Sequence, residues 1–134
     1  MRVFSREISF NTRGEIDIID ITGEVEKIVR ESGVKNGIAT VFIPGATGAI
    51  TTIEYEPGLI EDFKDALRRL IPREIRYRHP VNGHSHVRAS LLGPSVTVPI
   101  IGGHLHLGTW QQIVFIELDT RPRHRRVIVQ IVGE

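Results

Sequence analysis

Hydrophobic and polar positions alternate along much of this chain, which is the pattern of β-strands with one buried face. Arg2 to Phe10 alternates in this way and predicts a first strand, followed by a turn at Asn11–Gly14. Gly37 to Ile43 is a continuous apolar run, which is typical of a strand buried on both faces. Further strands are predicted over residues 15–19, 49–55, 84–92, 95–101, 104–107, 112–119 and 124–132.

Two other stretches carry apolar residues at helical spacing. The first follows Asp20 and Thr22, either of which can cap a helix, and it ends at Ser32–Gly33. The second begins at Pro57, a residue favoured at the first helical position, and Pro72 ends it. The two apolar stripes consist of Ile21, Val25, Ile28 and Val29, and of Leu59, Phe63, Leu67 and Leu70.

These elements define the expected fold class. Two helices lie among eight or nine strands, and many of the strands follow one another directly along the chain. Such an order favours an α+β fold with a mainly antiparallel sheet or sandwich over a doubly wound parallel sheet. We find no linker and no internal repeat, so we expect residues 1–134 to form a single domain.

The segment Asn82–Leu91 contains the closest grouping of side chains that could bind a ligand or catalyse a reaction. If it is a strand, side chains two residues apart share a face, so His84, His86, Arg88 and Ser90 would point the same way. Two imidazoles, a guanidinium and a hydroxyl in one row can bind a metal, hold a phosphate or carry a proton. A polar, solvated strand face would give the same pattern.

A divalent metal is one interpretation of the histidines. His79, His84 and His86 lie within eight residues, and neutral imidazole suits zinc, nickel, copper or iron. Glu54, on a predicted strand, could add a carboxylate ligand or act as a general base.

Three loops add further candidates. Pro44–Ala49 is rich in small residues, so its backbone N–H groups and the Thr47 hydroxyl could cradle a phosphate; a tight turn that needs glycine is the alternative. Trp110 and Gln111 could stack on and hydrogen-bond a planar ring, or could lie in the core or at a subunit interface. Arg121–Arg126 is a basic hairpin tip that suits a solvated turn, a phosphate or an interface.

Composition narrows the class of protein. The 134 residues are 40% hydrophobic and 25% charged with a net charge of +1, so no overall field favours nucleic acid or a membrane surface. There is no cysteine, which removes disulfides, thiolate metal sites and cysteine nucleophiles. No apolar run approaches the roughly 18 residues of a membrane span, and the N-terminus does not resemble a signal peptide. We therefore expect a cytoplasmic protein that binds neither nucleic acid nor membranes.

Several segments together resemble the YjbQ family of secondary thiamine-phosphate synthases. They are Thr51–Glu54, Glu56–Pro57, Tyr77–His79, Asn82–Gly93, Gly108–Gln111, Glu117, Arg125–Arg126 and Gly133–Glu134. The resemblance implies a compact α+β fold that assembles as a homotrimer. It also implies an enzyme that joins hydroxymethylpyrimidine pyrophosphate to thiazole phosphate, with a polar pocket that involves His86, His79 and Glu54. Many members have histidine at the position of Gly45 and aspartate at that of His84. Histidine in place of aspartate at position 84 favours zinc over magnesium.

The leading hypothesis is therefore an enzyme for a small phosphorylated substrate. Arg88, Ser90 and Thr47 are predicted to hold phosphate, and Trp110 and Gln111 to hold the ring. His86 and Glu54 are predicted to handle protons or metal. Two alternatives stay open, namely a zinc-dependent hydrolase that uses His79, His84 and His86, and a non-enzymatic protein that binds phosphorylated metabolites.

Overall fold

The computed structural model describes residues 1–134 and contains eight strands and three helices. In chain order they are β1 Arg2–Asn11, β2 Asp17–Asp20, α1 Thr22–Ser32, β3 Asn36–Phe42, β4 Gly48–Ile53, α2 Pro57–Leu70, α3 Gly83–Leu92, β5 Ser95–Ile101, β6 His104–Leu105, β7 Gln112–Glu117 and β8 His124–Gly133.

The strands form two antiparallel sheets. Five strands pair in the order β1-β8-β3-β5-β6, and three pair in the order β2-β7-β4. The predicted α+β class with a mainly antiparallel sheet is thus confirmed. None of the three helices is long and apolar enough to cross a membrane.

β7 is the buried centre of the molecule. Its Ile113 and Phe115 face a core of 18 residues that fills the space between the two sheets and α1. Val114 and Ile116 face the opposite way, into a second core of 8 residues beneath α2 and α3. The fold is therefore layered, with the small sheet between the large sheet and two helices, and burial on both faces explains why β7 is continuously apolar.

The first two helices begin and end near the predicted residues. The Asp20 carboxylate accepts hydrogen bonds from the backbone N–H and hydroxyl of Thr22 at the start of α1, and Gly33 ends that helix with a φ of 71°. Before α2, the Glu56 carboxylate accepts hydrogen bonds from two backbone N–H groups of the first turn. Of the predicted stripe on α2, Leu67 is buried, whereas Leu70 is exposed.

The predicted strand over 84–92 is wrong, because Gly83–Leu92 forms the helix α3. Its buried residues, Gly83, His84, Ser85, Arg88 and Ala89, recur at helical spacing, and the apolar Val87 and Leu91 are exposed. The polar side is inside because the Glu15 carboxylate accepts a hydrogen bond from the buried His84. The alternation of polar and apolar residues predicts a strand with a buried apolar face, whereas the structure buries the polar side of a helix.

Candidate functional site

A polar cleft of about 470 Å³ opens at the end of the small sheet where β4 begins and β7 ends. Three segments line it, namely the loop 45–47 before β4, the start of α3 with the residues before it, and residues 119–125, which connect β7 to β8 and include the start of β8. Gly48 pairs with Glu117, so the start of β4 and the end of β7 lie side by side and bring their loops together. The sequence-predicted Thr47 and His86 both line this cleft.

The floor of the cleft is a buried ion pair. The Arg125 guanidinium donates to both oxygens of the Glu117 carboxylate, from Nε at 2.8 Å and from Nη2 at 2.5 Å. Glu117 is fully buried, and it also accepts hydrogen bonds from the Thr12 hydroxyl and the Asp119 backbone N–H. Arg125 Nη2 donates further to the carbonyl and hydroxyl oxygens of Thr47. Both carboxylate oxygens of Glu117 and the Nε and Nη2 groups of Arg125 are therefore hydrogen-bonded, as a buried charge pair requires, whereas Arg125 Nη1 makes no hydrogen bond within the protein.

Asp119 forms one wall of the cleft as a carboxylate. Burial alone would raise the pKa of Asp119, but hydrogen bonds from the Thr120 backbone N–H, Arg123 and Asn82 outweigh it and hold the pKa below its usual value. The Arg123 guanidinium lies 2.5 Å from one carboxylate oxygen, and the Asn82 amide lies 3.4 Å from the other. Asp119 thereby ties the β7–β8 hairpin to the start of α3.

Hydrogen-bond donors remain free at the mouth of the cleft. Arg121 is exposed at the hairpin tip and makes no ion pair, whereas Arg123 and Arg125 are each paired with a carboxylate. The backbone N–H groups of Gly45, Ala46 and Thr47 have no acceptor within the protein. A guanidinium and three successive N–H groups are the donors that an anion such as phosphate uses.

His86 is half-buried in the wall of the cleft, and neither nitrogen of its ring is bonded to another protein group. The ring of His79 lies against it, with the two centroids 4.5 Å apart and the planes inclined by 40°. His79 Nδ1 is 3.0 Å from the carbonyl oxygen of Pro80, which can only accept, so this nitrogen carries the proton. The free ring of His86 can therefore give or take a proton at a bound ligand.

The chain is strained just before α3. Val81 has a φ of 71°, which β-branched residues rarely adopt, and the Asn82 backbone N–H donates to the Pro80 carbonyl across it. This tight γ-turn places Asn82 against Asp119 and starts the helix that carries His86. Such strain is often found at functional sites.

The structure separates the three predicted metal ligands. His84 Nε2 lies 2.7 Å from a carboxylate oxygen of Glu15, so it donates its proton there, and the ring is 1% exposed. Only His79 and His86 lie together, and no group of three His, Cys, Asp or Glu side chains is arranged to hold a metal ion. The divalent metal, with zinc favoured over magnesium, stays a prediction.

The other predicted site residues lie away from the cleft. Arg88 is buried beside Glu15, and Ser90 is exposed further along α3. Glu54 follows the far end of β4, about 17 Å along the strand from Gly48. Trp110 and Gln111 also lie at that far end, where Gln111 donates a hydrogen bond to Thr52, and the Trp110 side chain is exposed.

Sequence reasoning missed two residues of the cleft, Asn82 and Asp119. It included Asn82 in the segment Asn82–Leu91 without giving its side chain a role, and it included Asp119 in a predicted strand. A usable signal was the position of Asp119 directly before the basic hairpin tip, since a carboxylate beside several arginines suggests an ion-paired site.

Comparison with known proteins gives a consistent family match. The family model described as "UPF0047 protein YjbQ-like" matches residues 6–134. A UPF0047 protein of Methanothermobacter thermautotrophicus is 42% identical over 137 aligned positions, covering 100% of this chain and 95% of the relative. Another from Archaeoglobus fulgidus is 42% identical and covers 92% and 98%.

Solved structures agree with the sequence match. The crystal structure of a YbjQ-like protein of unknown function from Sulfolobus solfataricus has a TM-score of 0.96 and 36% identity, with 99% of both chains covered. That of an uncharacterised YjbQ/UPF0047 protein from Clostridium acetobutylicum has a TM-score of 0.90 and 42% identity, with 95% of this chain and 99% of the other covered.

The lowered pKa of Asp119 gives a testable pH dependence. A lowered pKa stabilises the folded state fully above the pKa of the unfolded carboxyl, about 3.9, and this stabilisation is lost as the pH falls through the folded value. We expect Asp119→Asn to cost about 1.5–3 kcal/mol of unfolding free energy at pH 7, because hydrogen bonds to a charged group are lost. The cost should shrink towards pH 3 in thermal unfolding followed by circular dichroism. Asp65→Asn, at an exposed pair, is the matched control. A cost that stays constant or grows in acid would contradict this assignment.

Proposed function

The chain belongs to the YjbQ-like UPF0047 family, and from that premise we propose that the cleft binds a small phosphorylated substrate on which His86 acts as acid or base. One observation carries the proposal. The free guanidinium of Arg121, three unpaired backbone N–H groups and the free imidazole of His86 line the same cleft. An anion-binding surface beside a proton-transfer group is the minimum that such an enzyme needs.

The charge of the cleft supports an anionic ligand. Three arginines, Arg121, Arg123 and Arg125, surround two carboxylates, Asp119 and Glu117, which leaves one net positive charge. Because the paired arginines are held in place by their carboxylates, the excess charge is at Arg121. A planar guanidinium can give a phosphate two parallel hydrogen bonds, which fixes the orientation of the anion as well as its affinity.

The loop 45–47 adds donors of fixed direction. Gly45 has a φ of 121°, a conformation that side chains disfavour, and the Thr47 hydroxyl accepts from Arg125 at 3.0 Å, which anchors the loop on the buried ion pair. Thr47 thus helps to orient the loop, and its unpaired N–H groups are the donors that we expect to contact the ligand. These donors need no rearrangement when the anion binds, which favours affinity.

We propose the family's thiamine-phosphate synthase reaction as the specific chemistry. The thiazole nitrogen forms a bond to the methylene carbon of hydroxymethylpyrimidine, and the bond from that carbon to oxygen breaks. Pyrophosphate leaves with the electron pair. Arg121 and the loop N–H groups would stabilise the charge on the leaving pyrophosphate, and His86 would exchange protons with it. The phosphate half has the stronger support, because the cleft has no aromatic side chain other than imidazole to hold a ring.

An assay with both thiamine precursors tests this reaction. We expect product from the wild-type protein and a rate about 10²–10⁴-fold lower for His86→Ala, the usual effect of removing an acid–base group. His104→Ala is the control, since His104 is exposed on the edge strand β6 and does not line the cleft. No product from the wild-type protein would contradict the reaction, and equal rates for wild type and His86→Ala would contradict the role of His86.

We also propose that the protein acts as a cytoplasmic homotrimer, which the outer face of the five-stranded sheet supports. Arg126, near the start of β8, is the one charged outward residue of β3, β5 and β8, and ten other outward positions on these strands carry no charge, although a quarter of the chain is charged. They are Ile38, Thr40, Phe42, Ser95, Thr97, Pro99, Ile101, Ile128, Gln130 and Val132. An uncharged sheet face suits contact with another protein surface better than contact with water. The lack of cysteine suits a reducing compartment.

A charge at the centre of this face tests the assembly. We expect light scattering after gel filtration to give three times the chain mass of 15.1 kDa for the wild type. Thr40→Lys should give the single-chain mass, because a lysine buried in the contact would lose its hydration. Ser90→Lys, at an exposed position of α3, is the control and should leave the mass unchanged. A wild-type protein of single-chain mass would contradict the assembly, and a Thr40→Lys trimer would contradict the proposed surface.

A further inference from the structure

Polar contacts hold the helix that carries His86. α3 has no side-chain hydrogen bond at its N-terminal cap, and the Asn82 side-chain NH2 donates to Asp119. Ala89 is its one residue in the buried apolar core, with Leu92 partly buried beside it. Apolar burial, which fixes most amphipathic helices, therefore contributes little to the position of α3.

Glu15 provides the main anchor on the buried side of α3. One of its carboxylate oxygens is 2.7 Å from His84 Nε2 and 3.6 Å from an Arg88 guanidinium nitrogen. The other oxygen is 2.6 Å from the Arg73 guanidinium. His84 and Arg88 are 1% and 2% exposed and lie one helical turn apart, so a single carboxylate holds two consecutive turns.

The same anchor fixes where His86 lies. Successive residues of an α-helix are rotated by about 100°, so a side chain two positions after His84 points to nearly the opposite side. His84 faces Glu15, and His86 faces the cleft. Rotation or translation of α3 around Glu15 would therefore move the His86 ring relative to Arg121 and the loop 45–47.

We infer that Glu15 is a positioning residue for His86, which acts through His84 and Arg88 without touching the ligand. Removing its carboxylate leaves the buried His84 N–H without an acceptor. It also leaves the buried Arg88 guanidinium without its neighbouring negative charge, although Arg88 Nε still donates to the Ile71 carbonyl. The helix then has to shift so that these groups reach water. The effect on rate rests on the proposed function, whereas the effect on the position of His86 does not.

The experiment compares Glu15→Ala with Glu61→Ala. Glu61 is also a carboxylate paired with a cation, Lys64, but the Glu61 side chain is 66% exposed on α2, so the pair contributes little. We expect the ring signals of His86 in ¹H–¹³C spectra to move in Glu15→Ala, with those of the exposed His104 unchanged.

In the thiamine-precursor assay, kcat of Glu15→Ala should fall by roughly tenfold to a hundredfold because the His86 ring is displaced. KM should change by less than about threefold, because Arg121 and the loop N–H groups are retained. Glu61→Ala should match the wild type in both measurements.

A second variant, Glu15→Gln, tests the inference if Glu15→Ala does not fold. This variant keeps an acceptor for His84 but loses the charge that faces Arg73 and Arg88, and it should give a smaller movement of the His86 signals in the same direction. Unchanged His86 signals in a folded variant that lacks the Glu15 carboxylate would overturn the inference. A wild-type protein without product would overturn the proposed reaction alone, because the His86 spectra still decide the role of Glu15.

Discussion

Glu117 is a fully buried carboxylate at the end of β7, and the arrangement around the cleft follows from the need to neutralise its charge. An unpaired carboxylate at a fully buried position would cost several kcal/mol, so the chain must bring a cation and further donors to it. Arg125 on β8 supplies the cation, and Thr12 after β1 supplies a hydroxyl. The pair therefore joins the end of the small sheet to two strands of the large sheet.

Neutralising that charge also determines which groups remain for a ligand. Arg125 is used by Glu117 and Arg123 by Asp119, so the one arginine of the hairpin tip that lines the cleft without a carboxylate partner is Arg121. Thr47 is bonded to Arg125, and this holds the loop 45–47 with its N–H groups unpaired. Asn82 is bonded to Asp119, and this sets the start of α3. The same hydrogen bonds that stabilise the fold thus leave a set of donors and His86 at its surface.

The sequence predicted most of the fold because most of its elements bury apolar residues. β7 and the alternating β1 have patterns typical of strands, and α1 has both the apolar spacing and the caps of a helix. α3 could not be predicted in this way. Its buried side is made of His84 and Arg88, and their partner Glu15 is about 70 residues away in the sequence, so no local pattern shows that these polar residues are inside.

The candidate site was predictable to a similar extent. Thr47 and His86 were found because a glycine-rich loop and a histidine cluster are visible locally, and both line the cleft. The use of Asp119 and Asn82 depends on how the β7–β8 hairpin meets α3, which is a tertiary contact. His84 lies apart from His86 because residues 83–92 form a helix and not the predicted strand, and residues two apart share a face only in a strand.

The central claim is that the cleft binds a phosphate through Arg121 and the loop 45–47. The most direct measurement is a titration with inorganic phosphate followed in ¹H–¹⁵N spectra, for the wild type, Arg121→Ala and, as a control, Arg69→Ala on exposed α2. The account predicts saturable shifts of the Gly45, Ala46 and Thr47 amides, and binding about tenfold weaker for Arg121→Ala alone, because one charge-assisted hydrogen-bonding group is lost. Absence of shifts in this loop at saturating phosphate, or equal affinity in all three proteins, would contradict it.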